Sequence, residues 1–302
     1  MRKLSRVFAK KTQGGNSDPL QTMPVRLQVM SDLHLETPTS FPMYTQFQVS
    51  AEAENLALLG DIGAATDDRL YDFLEAQLRQ FQIVLFLFGN HEPYAEDQWT
   101  WEEAVKSMEA FETEIETRRK QPAEYESEAL GRFVFLNRTS FDISSEVTVL
   151  GCTLFSQIRP EQASTIQLFV SDFSNIADWS IESHNSSHRR DLQWLNDQVT
   201  SISQNSPHRR ILILTHHSPT VHPSANDPEH LQDTRNVGSA FVTDLSEEVC
   251  WKSKNVKVWA FGHTHFNCDF VDSLTGKRVI ANQRGYGRED LYSFDPTKTV
   301  TI

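Results

Sequence analysis

At 302 residues, with 38% hydrophobic and 23% charged residues, the chain has ample material for a globular core, and α/β folds of this length are often single units carrying loop insertions. Its formal net charge of −13 repels polyanions at long range, which disfavours a duplex-binding nuclease with a basic stripe. No apolar stretch nears the roughly 18–20 residues that a membrane-spanning helix needs.

The N-terminus carries Arg2, Lys3, Arg6, Lys10 and Lys11 before its first acid, Asp18, but lacks the apolar core of a secretory signal. Gly14, Gly15, Asn16, Ser17 and Pro19 break any helix there, so residues 1–22 are expected to be a disordered leader and 23–302 a single catalytic domain. Cys152, Cys250 and Cys268 form an odd set without a Cys-x-x-Cys, which points to a reducing compartment and hence the cytoplasm.

Along the chain, apolar runs at Val25–Met30, Asn55–Leu59 and Ile83–Phe88 read as strands buried on both faces. Asp67–Phe81 is a predicted amphipathic helix with Leu70, Phe73, Leu74, Leu78 and Phe81 on one side. Gln98–Lys120 is a second, with Trp101, Val105, Met108, Phe111 and Ile115 inward and Pro122 marking its end. Phe133–Leu136 and Val147–Leu154 are expected in a second sheet, followed by a loop-rich segment from Ser156 to Ser183 and a helix over Ser187–Ser203. Two more double-faced strands follow at Ile211–Leu214 and Val256–Phe261, and short strands at Val279–Asn282, Leu291–Phe294 and Thr299–Ile302 are expected to finish the second sheet. Between them, Ser218–Gly238 holds three prolines and directly follows a histidine cluster, which makes it a candidate lid or binding loop.

Each of the five double-faced runs ends in a cluster of metal-ligand types: Ser31-Asp32-Leu33-His34, Gly60-Asp61, Gly89-Asn90-His91-Glu92, Thr215-His216-His217 and Gly262-His263-Thr264-His265. Singly, each is ordinary, because Gly, Asp and Asn favour turns and a chain with 11 His and 41 acids produces such words by chance. Five at five strand ends is different: loops at the carboxyl ends of neighbouring strands converge where open α/β sheets bind ligands. The donors are carboxylate, imidazole and amide without thiolate, which disfavours a structural zinc site and suits Mn, Fe, Zn, Ni or Co. Asp32 and His34, two apart on a segment expected to be extended, would point to one side.

The order and wording of these clusters resemble the calcineurin-like metallophosphoesterase superfamily, over a span from about Val25 to about Arg288. The resemblance implies an α/β fold, a four-layer αββα sandwich of two mixed sheets flanked by helices. It further implies two divalent or mixed-valence transition-metal ions, the first held by Asp32, His34 and His265 and the second by Asn90, His216 and His263, with Asp61 bridging both. His263 and His265 are sent to different ions, so their loop is expected to bend. The implied chemistry is hydrolysis of a phosphoester by a metal-bridging hydroxide, with His91 as the catalytic histidine that donates a proton to the leaving alkoxide. Glu92 is expected to cap the following segment or orient His91, and His217 either to touch the phosphate or to stabilise its loop.

Departures from the family narrow the substrate. The Ser/Thr protein phosphatase branch carries an arginine clamp soon after its Gly-Asp, and here that stretch is Ile62-Gly63-Ala64-Ala65-Thr66. His216-His217-Ser218-Pro219 looks more like the small-phosphodiesterase branch. The expected function is therefore a phosphodiesterase on a small or nucleotide-like substrate, with nucleic acid and membrane disfavoured as partners. A phosphomonoesterase with the same metals is the alternative, and a non-catalytic scaffold on the same fold is a third, opposed by the intact ligand set. Arg284 either faces the site or is solvated in a glycine-rich turn.

Overall fold

The computed structural model describes residues 24–94, 99–121, 129–286 and 294–302. The expected leader lies outside these residues, as do Gln98, Pro122 and most of the strand expected at Leu291–Phe294.

The first sheet runs in the order β11-β1-β2-β3-β4, built from β1 (Arg26–Met30), β2 (Asn55–Leu59), β3 (Ile83–Leu87), β4 (Arg132–Phe135) and β11 (Thr299–Thr301). The second runs β5-β6-β7-β8-β10-β9, from β5 (Thr139–Asp142), β6 (Val147–Cys152), β7 (Arg210–Thr215), β8 (Val256–Phe261), β9 (Cys268–Val271) and β10 (Arg278–Ala281). β1 to β4 are parallel to their neighbours, as are β6, β7, β8 and β10, while β11, β5 and β9 run antiparallel at the edges.

The reason for continuous apolar strands is visible in β2. Ala57 and Leu59 point into a core shared by the two sheets, with Val149, Leu212, Leu214 and Val258 opposite. Leu56 and Leu58 point the other way, into a core closed by α1 (Asp68–Leu78) and α2 (Trp101–Lys120). The outer face of the second sheet is covered in the same manner by Leu195 and Val199 of a long helix and by Trp251. These layers, helix, sheet, sheet, helix, are the four-layer αββα sandwich, an α/β arrangement of two mixed sheets.

Three expectations are corrected. β4 and β11 belong to the first sheet, not the second: β4 pairs with β3 (Val84 beside Phe133) and β11 with β1 (Leu27 beside Val300). Apolar patterning marks a strand but not its neighbour, and β3–α2–β4 is a crossover unit whose strands sit side by side. The segment Ser156–Ser183 is not loop-rich throughout, since it contains α3 (Ala163–Phe169) and α4 (Asp172–Asn175), too short to show a helical period. The following helix, α5 (Ile181–Asn205), starts six residues before its expected boundary, because its first turns bury His184, Ser187 and His188 instead of aliphatics. Ser180 caps it, accepting from Ser183 N–H at 3.1 Å.

Two other capping features match sequence rules. Thr100 and Glu103 form a reciprocal capping box at the start of α2, and Asp67 accepts from Arg69 N–H at the start of α1. Among the described residues no helix is long and apolar enough to cross a membrane.

His184 gives the fold a pH dependence. Its Nε2 accepts from Ser156 N–H at 3.3 Å, and burial, followed by the charge of His188, pushes it down to about 3. The folded state therefore favours the neutral ring, and the stability this confers is present above the unfolded pKa of about 6.5 and lost as pH falls toward 3. Thermal unfolding of wild type and His184→Leu between pH 6.5 and 4 should show a shallower acid decline in the variant, by up to about 1.4 kcal/mol per pH unit. Parallel slopes would contradict the assignment.

Candidate metal centre

The carboxyl ends of β1, β2, β3, β7 and β8 open onto one place, and the loops leaving them are laced together. Asp32 N–H donates to Gly60 O (3.0 Å), His34 N–H to Asp61 O (2.9 Å) and Gly262 N–H to His216 O (2.8 Å). Glu92 clips two of them: it is fully buried, Oε1 accepting from Ile62 N–H (2.9 Å) and Oε2 from Gly89 N–H (2.7 Å). Burial and the neighbouring Asp61 charge push its carboxyl up to about 8. Glu92 thus ties loop to loop through backbone amides.

Asp32, His34, Asp61, His263 and His265 all have positive φ, between 47° and 71°. For non-glycine residues that conformation costs roughly 1–2 kcal/mol each, and its concentration at the donors marks a functional site. It also corrects the expectation that Asp32 and His34 align on an extended segment: a left-handed kink at each, with His34 N–H bonded across to Asp61 O, sets their directions. The bend expected between His263 and His265 is present, with φ of 71° and 50°.

The donor atoms of Asp32, His34 and His265 lie within 4.8 Å of one another, and so do those of Asp61, His216 and His263. A third set, His34, Asp61 and His91, meets the same limit, so that Asp61 stands between the other two. Asn90 Oδ1 sits 3.2 Å from His216 Nε2, which brings it to the second group. All eight candidate site residues of the sequence are in one cluster.

Two of the imidazoles have their free nitrogen assigned by their surroundings. His216 Nδ1 donates to Leu59 O (2.8 Å), so Nε2 is the nitrogen turned inward, 3.4 Å from Asp61 Oδ2. His34 Nδ1 faces Glu36 Oε1 (3.1 Å), leaving Nε2 at 3.2 Å from His265 Nε2. Asn90 is oriented likewise: its Nδ2 donates to Asp172 Oδ1 (2.8 Å), which turns Oδ1 inward. Tyr94 OH donates to the same Asp172 oxygen (2.5 Å), and its ring stacks on His91 at 4.3 Å.

The field of the site is that of a cation-binding pocket. Asp32 and Asp61 are buried, and among the described residues their ion-pair partners are histidines. Burial pushes both carboxyls up, but the surrounding imidazoles outweigh it and hold both below the usual range. The same carboxylates act on their neighbours: burial lowers His216 and His91, yet Asp61 lifts them to about 10 and about 9. Desolvation of the half-buried His263, followed by the charge of His216, pushes that ring down to about 3. Inward-facing nitrogen lone pairs, two buried carboxylates and an amide oxygen fit a pair of first-row divalent ions, which bind in competition with protons.

Residues 25–267 match the calcineurin-like phosphoesterase family model. The chain belongs to that family. An uncharacterised protein, L509, of Acanthamoeba polyphaga mimivirus is 23% identical over 296 residues, covering 91% of this chain and 96% of its own. Phosphopantetheinyl hydrolase from Mycobacterium tuberculosis shares the fold with a TM-score of 0.61 at 14% identity, over 92% of this chain and 96% of its own. This family member is a metal-dependent phosphoester hydrolase, and the family implies a dinuclear divalent metal site.

Other expectations resolve as follows. His217 is fully buried, packed 4.0 Å from the His263 ring, with neither ring nitrogen hydrogen-bonded among the described residues, so it has no surface to offer a phosphate. Arg284 is turned behind the site, where Nη1 donates to Leu33 O (2.7 Å) and the guanidinium covers Phe47 at 5.4 Å. From that segment it is Tyr286 that reaches the cluster, stacked on His34 at 4.3 Å with its hydroxyl 3.3 Å from His91 Nε2. Glu36, Asp172, Gln283 and Tyr286 were not singled out from sequence; of these Glu36 alone carried a signal, extending the alternation Asp32-x-His34-x-Glu36.

Gly262 shows how tightly the loops meet: a Cβ there would overlap Ser31 Oγ and stand 2.6 Å from Asp32 Oδ2. Gly262→Ala should lower stability by about 1–3 kcal/mol and abolish turnover. Thermal unfolding and activity at the wild-type level would contradict this packing.

Proposed function

We propose that the protein is a phosphodiesterase acting on a small or nucleotide-like diester. The observation that carries the reading is the convergence of six candidate ligands around a seventh, Asp61. In this reading Asp32, His34 and His265 hold one ion, Asn90, His216 and His263 the other, and Asp61 both. Mn, Fe, Zn, Ni and Co all suit this donor set. When bound, such a pair lowers the pKa of water toward neutrality and neutralises charge on the phosphoryl oxygens.

The chain's own part is proton supply and orientation. Against the lowering effect of burial, the Asp61 and Glu36 carboxylates raise His91 above its usual range, and its Nε2 is directed to Tyr286 OH at the exposed face. In this reading His91 is the donor for the leaving alkoxide. Asp172 keeps the Asn90 carbonyl inward, and the Tyr94 ring backs His91.

Preference for a diester is supported by what lines the site. The nearby aromatic rings are Tyr94, Tyr286 and Phe241, the last stacked on His263 at 5.0 Å, and Arg284 is directed away. A monoester dianion gains most from a guanidinium fork, whereas a diester monoanion with organic arms suits aromatic walls. We assign substrate selection to the 218–238 stretch: Thr243 N–H donates to Ser218 O (3.1 Å), closing the excursion beside the site. The net charge of −13 argues against nucleic acid as substrate, and three free cysteines support a reducing compartment such as the cytoplasm.

With added Mn²⁺, bis(p-nitrophenyl) phosphate should be hydrolysed faster than p-nitrophenyl phosphate; a clear preference for the monoester would establish a phosphomonoesterase instead. His91→Ala should lower kcat for an alkyl-leaving diester by about 10²–10⁴-fold, and an unchanged kcat would remove His91 as proton donor.

A further inference from the structure

Glu36 lies outside all five ligand clusters, yet its carboxylate is wedged among them. Its side chain is 15% exposed, and Oε1 stands 3.1 Å from His34 Nδ1 and 3.5 Å from His91 Nδ1. The two rings it faces are 4.6 Å apart and edge-to-face, at 74°. No Lys or Arg is paired with it among the described residues; its ion-pair partners are the two imidazoles. Oε2 is buried without a hydrogen-bond partner among the described residues, so this oxygen does not explain why the carboxylate is held there.

An ionised carboxylate only accepts hydrogen bonds. Any imidazole nitrogen turned toward it must therefore be the N–H, and the other nitrogen of the ring is then determined. For His34 that leaves the Nε2 lone pair facing Asp61 Oδ2 (3.8 Å) and His265. For His91 it leaves Nε2 facing Tyr286 OH and the exposed side. One oxygen atom thus orients a metal-binding ring and a proton-donating ring together. His216, by contrast, takes its orientation from a backbone carbonyl and owes nothing to Glu36.

We propose that Glu36 is a positioning residue shared by His34 and His91, so that its loss weakens one ion site and proton delivery to the leaving group together. The inference rests on the functional reading above, which gives His34 to the first ion and His91 to the leaving group. Carboxylates that orient a metal-bound histidine typically contribute about 10–100-fold in metal affinity. The consequence particular to this geometry is the coupling: the same substitution reaches a ring that holds no ion in that reading.

The test uses the full-length chain stripped of metal, with Glu36→Ala and the near-isosteric Glu36→Gln, whose folding is checked by circular dichroism and thermal unfolding. Mn²⁺ titration calorimetry on wild type should resolve two sites; in Glu36→Ala one should weaken by about 10–100-fold and the other hold. At saturating Mn²⁺, kcat should fall more steeply for phenyl than for p-nitrophenyl diesters, because a poor leaving group depends on the donated proton. Glu36→Gln, which can still accept one N–H, should recover much of the Mn²⁺ affinity. Unchanged affinities and an unchanged leaving-group dependence would overturn the proposal, as would an equal loss at both sites with a lowered unfolding temperature, which marks a merely structural residue. Wild-type protein that takes up no pair of ions would remove the functional reading, and this inference with it, so the two failures are distinguishable.

Discussion

Asp32 and Asp61 are carboxylates sealed in the protein with only imidazoles as ionic partners among the described residues. Removing an anion from water costs several kcal/mol even after relaxation, and among the described residues no lysine or arginine pairs with either to offset it. The rest of the centre is arranged around that demand for positive charge. Imidazole nitrogens from three loops point to the same place, and two of the site's histidines, His91 and His216, are driven toward protonation. Protons and divalent ions answer the same demand.

Holding such a cluster requires a rigid frame, which two nearly all-parallel sheets supply. Every loop that carries a donor leaves a strand buried on both sides, and the loops then bond to one another as if the sheets continued. Left-handed backbone at Asp32, His34, Asp61, His263 and His265 is affordable only because these cross-loop bonds and the Glu92 clip over-determine it. Stability stored in the apolar layers is thereby converted into precise placement of polar groups. Behind the donors, Glu36 and Asp172 set which atom His34 and Asn90 present, and Gln283 holds the backbone of His265.

The ligand-bearing strands were legible because each is a short apolar run with a distinctive ending, and the layer order came from the resemblance of those endings to the calcineurin-like metallophosphoesterase superfamily. Sheet membership of β4 and β11 was not, since a strand's own residues do not name its neighbour. The helices α3 and α4 were missed because one or two turns cannot show a period, and with them went Asp172. Arg284 drew attention because its segment follows the last histidines closely, but its guanidinium donates to Leu33 O and its head covers Phe47. Tyr286 lacked any pattern at all: its place depends on a turn whose direction is set by Gln283, which accepts from His265 N–H and donates to Phe266 O.

The most direct measurement is anomalous scattering at the Mn edge from crystals grown with Mn²⁺. Two peaks are expected, about 3.5–4 Å apart as in other two-metal sites, one beside Asp32, His34 and His265, the other beside Asn90, His216 and His263, with Asp61 between them. A single peak remote from Asp61, or none, would contradict the dinuclear centre.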